Sequence, residues 1–135
     1  MENLIAYIFI ALVVGVFGYI EFTRGPAPYR GRSCTGRAWK KAFPTYSKEN
    51  IRLFLLCLVD GMALSDKTKL KFHPNDQAID VYRSLYGGKT PIGDNLELET
   101  FFENLVNGFK VEESSLQKVW HENITLGELY EFVSA

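Results

Sequence analysis

The first twenty positions of the chain differ from all that follow, because they hold almost no charged side chain. From Asn3 to Ile20, eighteen residues carry no charge and nearly all are apolar. As a helix this run would be roughly 27 Å long, close to the ~30 Å hydrocarbon thickness of a bilayer. Only Glu2 follows the initiator methionine, whereas a cleaved signal peptide has Lys or Arg before its apolar run. We therefore predict a transmembrane anchor over residues 1–22 that contacts lipid through residues 3–20. The alternative is a core helix of a soluble domain.

The positions that follow the anchor predict short helices separated by loops. Ser47 precedes an apolar run that reaches Leu64, and it is a favourable N-cap for a helix there. The alternating lysines of residues 67–71 favour a short extended piece. A further short helix is expected after Asp76, and the glycine pair 87–88 would end it.

Two later segments carry stronger helix signals. Asp94 is the expected cap of the first, Glu97 completes a capping-box-like pair with it, and Gly108 would close the helix. The spacing i, i+3, i+4, i+7 and i+11 places five apolar residues on one face of this helix: Leu98, Phe101, Phe102, Leu105 and Phe109. Thr125 and Glu128 form the same capping pattern before the last helix. No segment alternates strongly as a strand does, so the predicted fold class is all-α. We expect one N-terminal transmembrane helix followed by a small four-helix bundle.

The charges of the chain are sorted along its length, although the net charge is only −1. Residues 22–46 hold six basic and no acidic side chains, whereas residues 73–135 hold eleven acidic and four basic ones. The six basic residues are Arg24, Arg30, Arg32, Arg37, Lys40 and Lys41. By the positive-inside rule they place the C-terminal domain in the cytoplasm. Each would contribute about 1 kcal/mol to contact with anionic headgroups. The glycines and prolines among them predict a basic linker over residues 23–46.

Candidate catalytic and metal-binding residues are few. Cys34 and Cys57 have no repeating pattern and predict neither a disulfide framework nor a metal site. His73 and His121 have no Cys or carboxylate at ligand spacing. The basic residues are not interleaved with aromatic ones, as they are on nucleic-acid-binding faces. We therefore predict no enzyme, no metal and no nucleic-acid partner.

The C-terminal half resembles a known family at three places. Asp94, Asn95 and Leu96 form a short motif at a helix start, Phe109 lies thirteen residues past Leu96, and "TLGELYEFV" comes near the end. This arrangement resembles the acyl carrier proteins, in which Asp-Ser-Leu opens the second helix and a Thr-hydrophobic pair opens the last. The longer segment before the motif is closer to the divergent carrier-like proteins of enterobacteria. The resemblance implies an acyl-carrier-like helical domain over residues 47–135.

The departure from that family concerns its cofactor. A carrier attaches 4′-phosphopantetheine through the Ser hydroxyl of the motif, and here the carboxamide of Asn95 stands in its place. Asp94 and Leu96 would thus flank a degenerate attachment position. No cofactor is expected, since Ser84, Ser114 and Ser115 do not open this helix. Asn95 is instead expected to satisfy backbone donors at the helix start.

Acidic residues outside the apolar face give the remaining functional prediction. In the resembling family, the helix that carries Glu97, Glu99 and Glu103 here presents negative charge to basic patches on partner proteins. The alternative is a solvated face favoured by the helix dipole. We expect a membrane-anchored adaptor or regulator without the prosthetic-group serine, in the bacterial inner membrane with a single pass. Two alternatives remain open. One is a true acyl or peptidyl carrier in membrane-proximal lipid or metabolite synthesis, and the other is a small membrane immunity or regulatory protein.

Overall fold

A computed structural model describes residues 1–88 and 95–135, and within these ranges the chain is all-α. The described residues contain no strand, only an isolated bridge between Gln77 and Thr125. The predicted all-α class is therefore confirmed, whereas the acyl-carrier-like bundle stays a prediction. The α-helices are α1 (Glu2–Arg24), α2 (Gly36–Ala42), α3 (Lys48–Gly61), α4 (Ala78–Ser84), α5 (Leu96–Phe109), α6 (Glu113–Val119) and α7 (Leu126–Ser134). Two 3₁₀ helices, Ala27–Tyr29 and Asp66–Lys71, lie between them.

Helix α1 stands apart from the core. None of its residues is buried, although most of its side chains are large and apolar. Among the described residues, its contacts with the rest of the chain are at its C-terminal end, where Lys67 donates a hydrogen bond of 2.7 Å to the Tyr19 hydroxyl. The helix ends at Gly25, whose φ of 80° favours glycine. A core helix of a soluble domain would be buried, so α1 does not have the surroundings of one.

The core of the domain is built on the pairing of α3 with α5. Phe54 and Leu58 of α3 and Phe101 and Leu105 of α5 are fully buried, as the apolar spacing of both segments predicts. The two helices come closest at Gly61. A Cβ atom there would lie 2.5 Å from the Phe101 Cα atom. The absence of a side chain at this position is thus what allows the two backbones to approach.

Helix α7 closes the core through an aromatic cluster. The Tyr130 ring packs edge-on against the rings of Trp39, Phe43 and Phe54, at centroid distances of 5.8, 4.8 and 5.4 Å. Thr125 caps the helix as predicted. Its hydroxyl accepts from the Glu128 backbone N–H at 3.1 Å, and the Glu128 carboxylate accepts from the Thr125 N–H at 3.1 Å.

The segment predicted as a linker is in large part folded onto the domain. Helix α2 lies within it, and Trp39 of that helix is only 1% exposed. The Trp39 indole N–H donates to the Phe72 carbonyl at 2.8 Å, and the Thr35 hydroxyl contacts the carbonyls of Leu70 and Phe72 at 2.9 and 2.8 Å. Thr35 and Trp39 therefore pack into the domain, which differs from the predicted boundary at residue 47. The contacts join positions more than thirty residues apart, and no local pattern announces them.

Several local predictions also need correction. The lysines of residues 67–71 lie in a 3₁₀ helix and not in an extended piece. Helix α5 does not close at Gly108 but continues to Phe109, and Lys110 ends it in the left-handed conformation with φ 58°. The Ser47 cap is confirmed, since its hydroxyl accepts from the Asn50 N–H at 3.1 Å.

Candidate functional site

The start of α5 is the position at which the carrier resemblance places a prosthetic group. Asn95 is the N-cap residue, and its carbonyl accepts from the Glu99 N–H at 2.9 Å. Its side chain caps no backbone donor, contrary to the prediction. The Asn95 carboxamide oxygen instead accepts from the buried Tyr82 hydroxyl at 3.3 Å. The predicted cap Asp94 lies outside the described residues, so its capping box with Glu97 stays a prediction.

The residues around this helix start do not fit 4′-phosphopantetheine. Attachment needs a hydroxyl nucleophile, and Asn95 offers a carboxamide that Tyr82 already contacts. Ser84 is the nearest serine in sequence, but its hydroxyl donates to the Val81 carbonyl of its own helix at 2.5 Å. Leu96, the residue that follows Asn95, is 60% exposed. No chemical step through the cofactor follows from this arrangement.

The three glutamates of α5 have different surroundings. Glu97 is half-buried, and one of its carboxylate oxygens accepts from the Tyr86 hydroxyl. Its other oxygen is buried and has no hydrogen-bond partner among the described residues. Glu99 and Glu103 are exposed and form no ion pair within the same residues. Of the three glutamates, Glu99 and Glu103 are therefore the two with exposed carboxylates that are unpaired among the described residues.

Leu96, Glu99 and Glu103 form one outward stripe of α5. Their spacing of i, i+3 and i+7 puts them on the same side of the helix, and all three are exposed. The opposite side of α5 is held against α3, where Leu98, Phe101 and Leu105 are buried. We call the exposed residues Leu96, Glu99 and Glu103 the α5 stripe. It combines one apolar side chain with two carboxylates on a helix that the core holds in place.

The sequence pattern did not indicate the tyrosines that hold this region together. Tyr82 and Tyr86 lie four positions apart, and their hydroxyls reach Asn95 and Glu97, respectively. An i, i+4 pair of tyrosines on a helical segment indicates side chains on a shared face. That spacing is a signal in the sequence that the two tyrosines share a face, but it does not predict which residues their hydroxyls contact.

The six basic residues predicted for the membrane surface are not equivalent. Arg32 forms a two-point ion pair with Asp76 at 2.5 and 2.9 Å, and its guanidinium lies 4.8 Å from the Tyr29 ring centroid. The hydrogen bond to Asp76 raises the pKa of Arg32. Because Asp76 is a domain residue whose side chain is only 12% exposed, Arg32 serves the fold and is not free for headgroups.

The remaining five basic residues differ in their contacts, and their position at a membrane surface stays a prediction. Arg30 and Arg24 both pair with Glu21 at the end of α1, at 2.8 and 3.8 Å. The Lys40 ammonium group donates to the carbonyls of Pro44 and Tyr46. Arg37 and Lys41 are exposed and have no ion-pair partner among the described residues.

Metal-binding and nucleophilic groups do not assemble into a site in the part of the chain that the structure describes. It contains no group of three His, Cys, Asp or Glu side chains that could hold a metal. Burial, with a smaller contribution from Asp60, raises the pKa of the Cys57 thiol to about 11. A thiol that stays protonated is a poor nucleophile, so Cys57 is a core residue.

Comparison with known proteins adds no relationship. No protein-family model matches the chain, and neither a curated protein nor a solved structure matches it. The acyl carrier resemblance therefore stays a prediction. By length and composition, α1 is the one described helix able to cross a membrane, and none of its apolar stretch is buried.

Proposed function

We propose that this protein is a membrane-anchored adaptor, without enzymatic activity, whose acyl-carrier-like domain docks a partner protein through the α5 stripe. The observation that carries the proposal is the exposure of Leu96, Glu99 and Glu103 on one side of a helix whose other side is fixed in the core. An apolar side chain at the N-terminal end of the stripe, followed by two carboxylates, is complementary to a basic patch that adjoins an apolar surface. The partner is therefore a protein with such a patch.

The anchor and its orientation rest on α1 and the charges beside it. A helix of 23 residues that is apolar on all sides and unburied has the properties of a membrane span. Residues 22–46, directly after the apolar run of this helix, hold six basic side chains and no acidic one. We therefore propose a single pass in a bacterial inner membrane, with the domain in the cytoplasm.

Asn95 and Thr125 support the carrier-like part of the proposal. They stand at the N-cap positions of α5 and α7, the two helix starts on which the resemblance depends. The missing hydroxyl at Asn95 favours docking without a carried group. The alternative of a true carrier has a direct test. Coexpression with a broad-specificity phosphopantetheinyl transferase should leave the intact mass unchanged, and a gain equal to phosphopantetheine would reject the adaptor.

A charge-removal experiment tests the docking face. The change Glu99→Gln with Glu103→Gln should reduce partner recovery from detergent extracts several-fold, because it removes both carboxylates of the stripe. The matched control is Glu49→Gln with Glu131→Gln. Glu49 lies in the first turn of α3 as Glu99 does in α5, so both variants lose two charges and one favourable dipole contact of about 0.3–1 kcal/mol.

The outcomes separate docking from a solvated face. Docking requires that the control retains the partner and that 0.5 M salt weakens capture, since the Debye length is then about 4 Å. Equal capture by both variants, or capture insensitive to salt, would reject the α5 stripe. Reporters fused to the C-terminus test the orientation separately. A cytoplasmic reporter should be active and a periplasmic one silent.

A further inference from the structure

A second surface lies on the side of the domain formed by α2 and the start of α3. It is an open groove of about 400 Å³ whose lining is mostly apolar. Trp39 of α2, Ile51 of α3 and Leu70 of the Asp66–Lys71 3₁₀ helix line it. The hydrogen bonds from Trp39 and Thr35 to the carbonyls of residues 70 and 72 fix α2 at this edge. The groove is therefore a built feature of the fold.

Positive charge surrounds this groove. Arg37 and Lys40 of α2 and Lys48 and Arg52 of α3 contribute to its lining, and no acidic residue does. Arg37, Lys48 and Arg52 are exposed and have no ion-pair partner in residues 1–88 and 95–135. An apolar surface with an unneutralised basic rim is complementary to a molecule that has an anionic head and an apolar body.

The groove also lies close to the end of α1. Leu70 belongs to the same 3₁₀ helix as Lys67, whose ammonium group contacts the Tyr19 hydroxyl. The same segment, Asp66–Lys71, therefore both contacts the end of α1 and lines the groove. The headgroup layer on each side of a bilayer is roughly 5–8 Å thick. If α1 spans the membrane, the groove is within reach of the headgroups.

We propose that this groove binds an anionic phospholipid of the bilayer in which the protein is anchored. The lipid phosphate would meet Arg37, Lys48 and Arg52, and the first part of an acyl chain would lie over Leu70, Cys34 and the alkyl parts of the basic side chains. The inference rests on the membrane anchoring proposed above. It goes beyond general attraction to the surface, because it names a lipid site with both a head and a chain component.

Photocrosslinking of the full-length protein in lipid vesicles tests the site. The probe is a phosphatidylglycerol with a diazirine in its acyl chain, and the reference is a phosphatidylcholine with the same chain. Crosslinked peptides are mapped by mass spectrometry. The phosphatidylglycerol probe should label residues 34–52 as well as α1, whereas the phosphatidylcholine probe should label α1 alone.

Two variants of equal charge make the test specific. Arg37→Gln with Arg52→Gln should lower labelling of residues 34–52 by roughly tenfold or more, as expected for two lost headgroup contacts. Lys110→Gln with Lys118→Gln removes two exposed charges outside both the groove and the predicted membrane-surface set, and should leave that labelling unchanged. All four changes are at exposed positions, so the domain should stay folded.

The labelling of α1 separates the possible failures. Labelled α1 with an unlabelled groove would reject the lipid site while leaving the anchor intact, and would favour an acidic amphipathic peptide as the occupant. Equal labelling of residues 34–52 by both lipids, or an equal loss of that labelling in both variants, would indicate nonspecific surface contact and overturn the proposal. Absence of label from α1 would instead reject the proposed anchor, and the lipid site with it.

Discussion

The close approach of α3 and α5 at Gly61 gives a sharp stability prediction. In the Gly61→Ala variant the new Cβ atom would lie 2.5 Å from the Phe101 Cα and 2.6 Å from its backbone N. Ordinary contacts begin at about 3.4 Å, so the helices must separate by roughly 0.9 Å. Both contacts are with backbone, and rotation of a side chain cannot relieve them.

The expected magnitude follows from two opposing effects. Overpacking of a core costs about 1–3 kcal/mol, and a contact with backbone belongs at the upper end. Replacing glycine by alanine in a helix contributes about 0.5–1 kcal/mol in the other direction. The net loss is about 2 kcal/mol. For a domain of this size that corresponds to a fall in Tm of roughly 10 °C.

Gly108→Ala is the matched control. Gly108 also lies within a helix, but its added Cβ would meet only the Cys57 Sγ at 3.3 Å and the Leu53 Cδ1 at 3.9 Å. These are side-chain atoms that can shift, so the overpacking cost and the gain in helix propensity should cancel to within about 0.5 kcal/mol. Thermal unfolding followed by tryptophan fluorescence reports on the domain and not on α1, because both tryptophans, Trp39 and Trp120, lie in the domain. Equal melting temperatures for the two variants would refute the close helix approach.

Three further predictions concern single contacts and use the same thermal melts unless stated. Thr125→Ala removes the capping box of α7 and should cost about 1 kcal/mol, and Thr125→Ser should restore most of that loss. Arg32→Gln leaves Asp76 without its ion pair and should cost about 1–2 kcal/mol, whereas the exposed Arg37→Gln should stay within about 0.5 kcal/mol. Burial raises the pKa of Cys57 from 9.0 to about 11, so the protonated thiol stabilises the fold below pH 9. That contribution should fade as the pH rises toward 11, and a Cys57→Ala variant should show a flatter loss over this range.

The features that the sequence predicted well are those set by neighbours along the chain. Ser47 and Thr125 cap their helices through donors three residues away. The apolar face of α5 follows from spacing alone, and its buried members include Phe101 and Leu105. Such contacts need no knowledge of the rest of the fold. Asn95 shows the limit of such local prediction. Its side chain does not cap its own helix but contacts Tyr82, thirteen residues earlier.

The features that were missed depend on long-range contacts. The bond from Trp39 to Phe72 spans 33 residues, and the ion pair of Arg32 with Asp76 spans 44. Glycine and proline frequency predicts a linker for this region because it records local conformational freedom only. A buried tryptophan can fix such a segment to the core regardless of its neighbours. Composition therefore placed the domain boundary too late in the chain.

The same contacts change what the basic segment can do. Read along the chain, its cations form a single group that follows the anchor. In the structure Arg32 is held by Asp76, and Arg30 is held by Glu21. Arg37 keeps an exposed charge and lines the same groove as Arg52 of α3, which the sequence pattern gave no reason to include. The fold thus divides the six cations and forms a basic rim that extends beyond the predicted linker. Glu99 and Glu103 lie on α5, which contributes no residue to the lining of that groove, so the two proposed binding surfaces can be tested by independent variants.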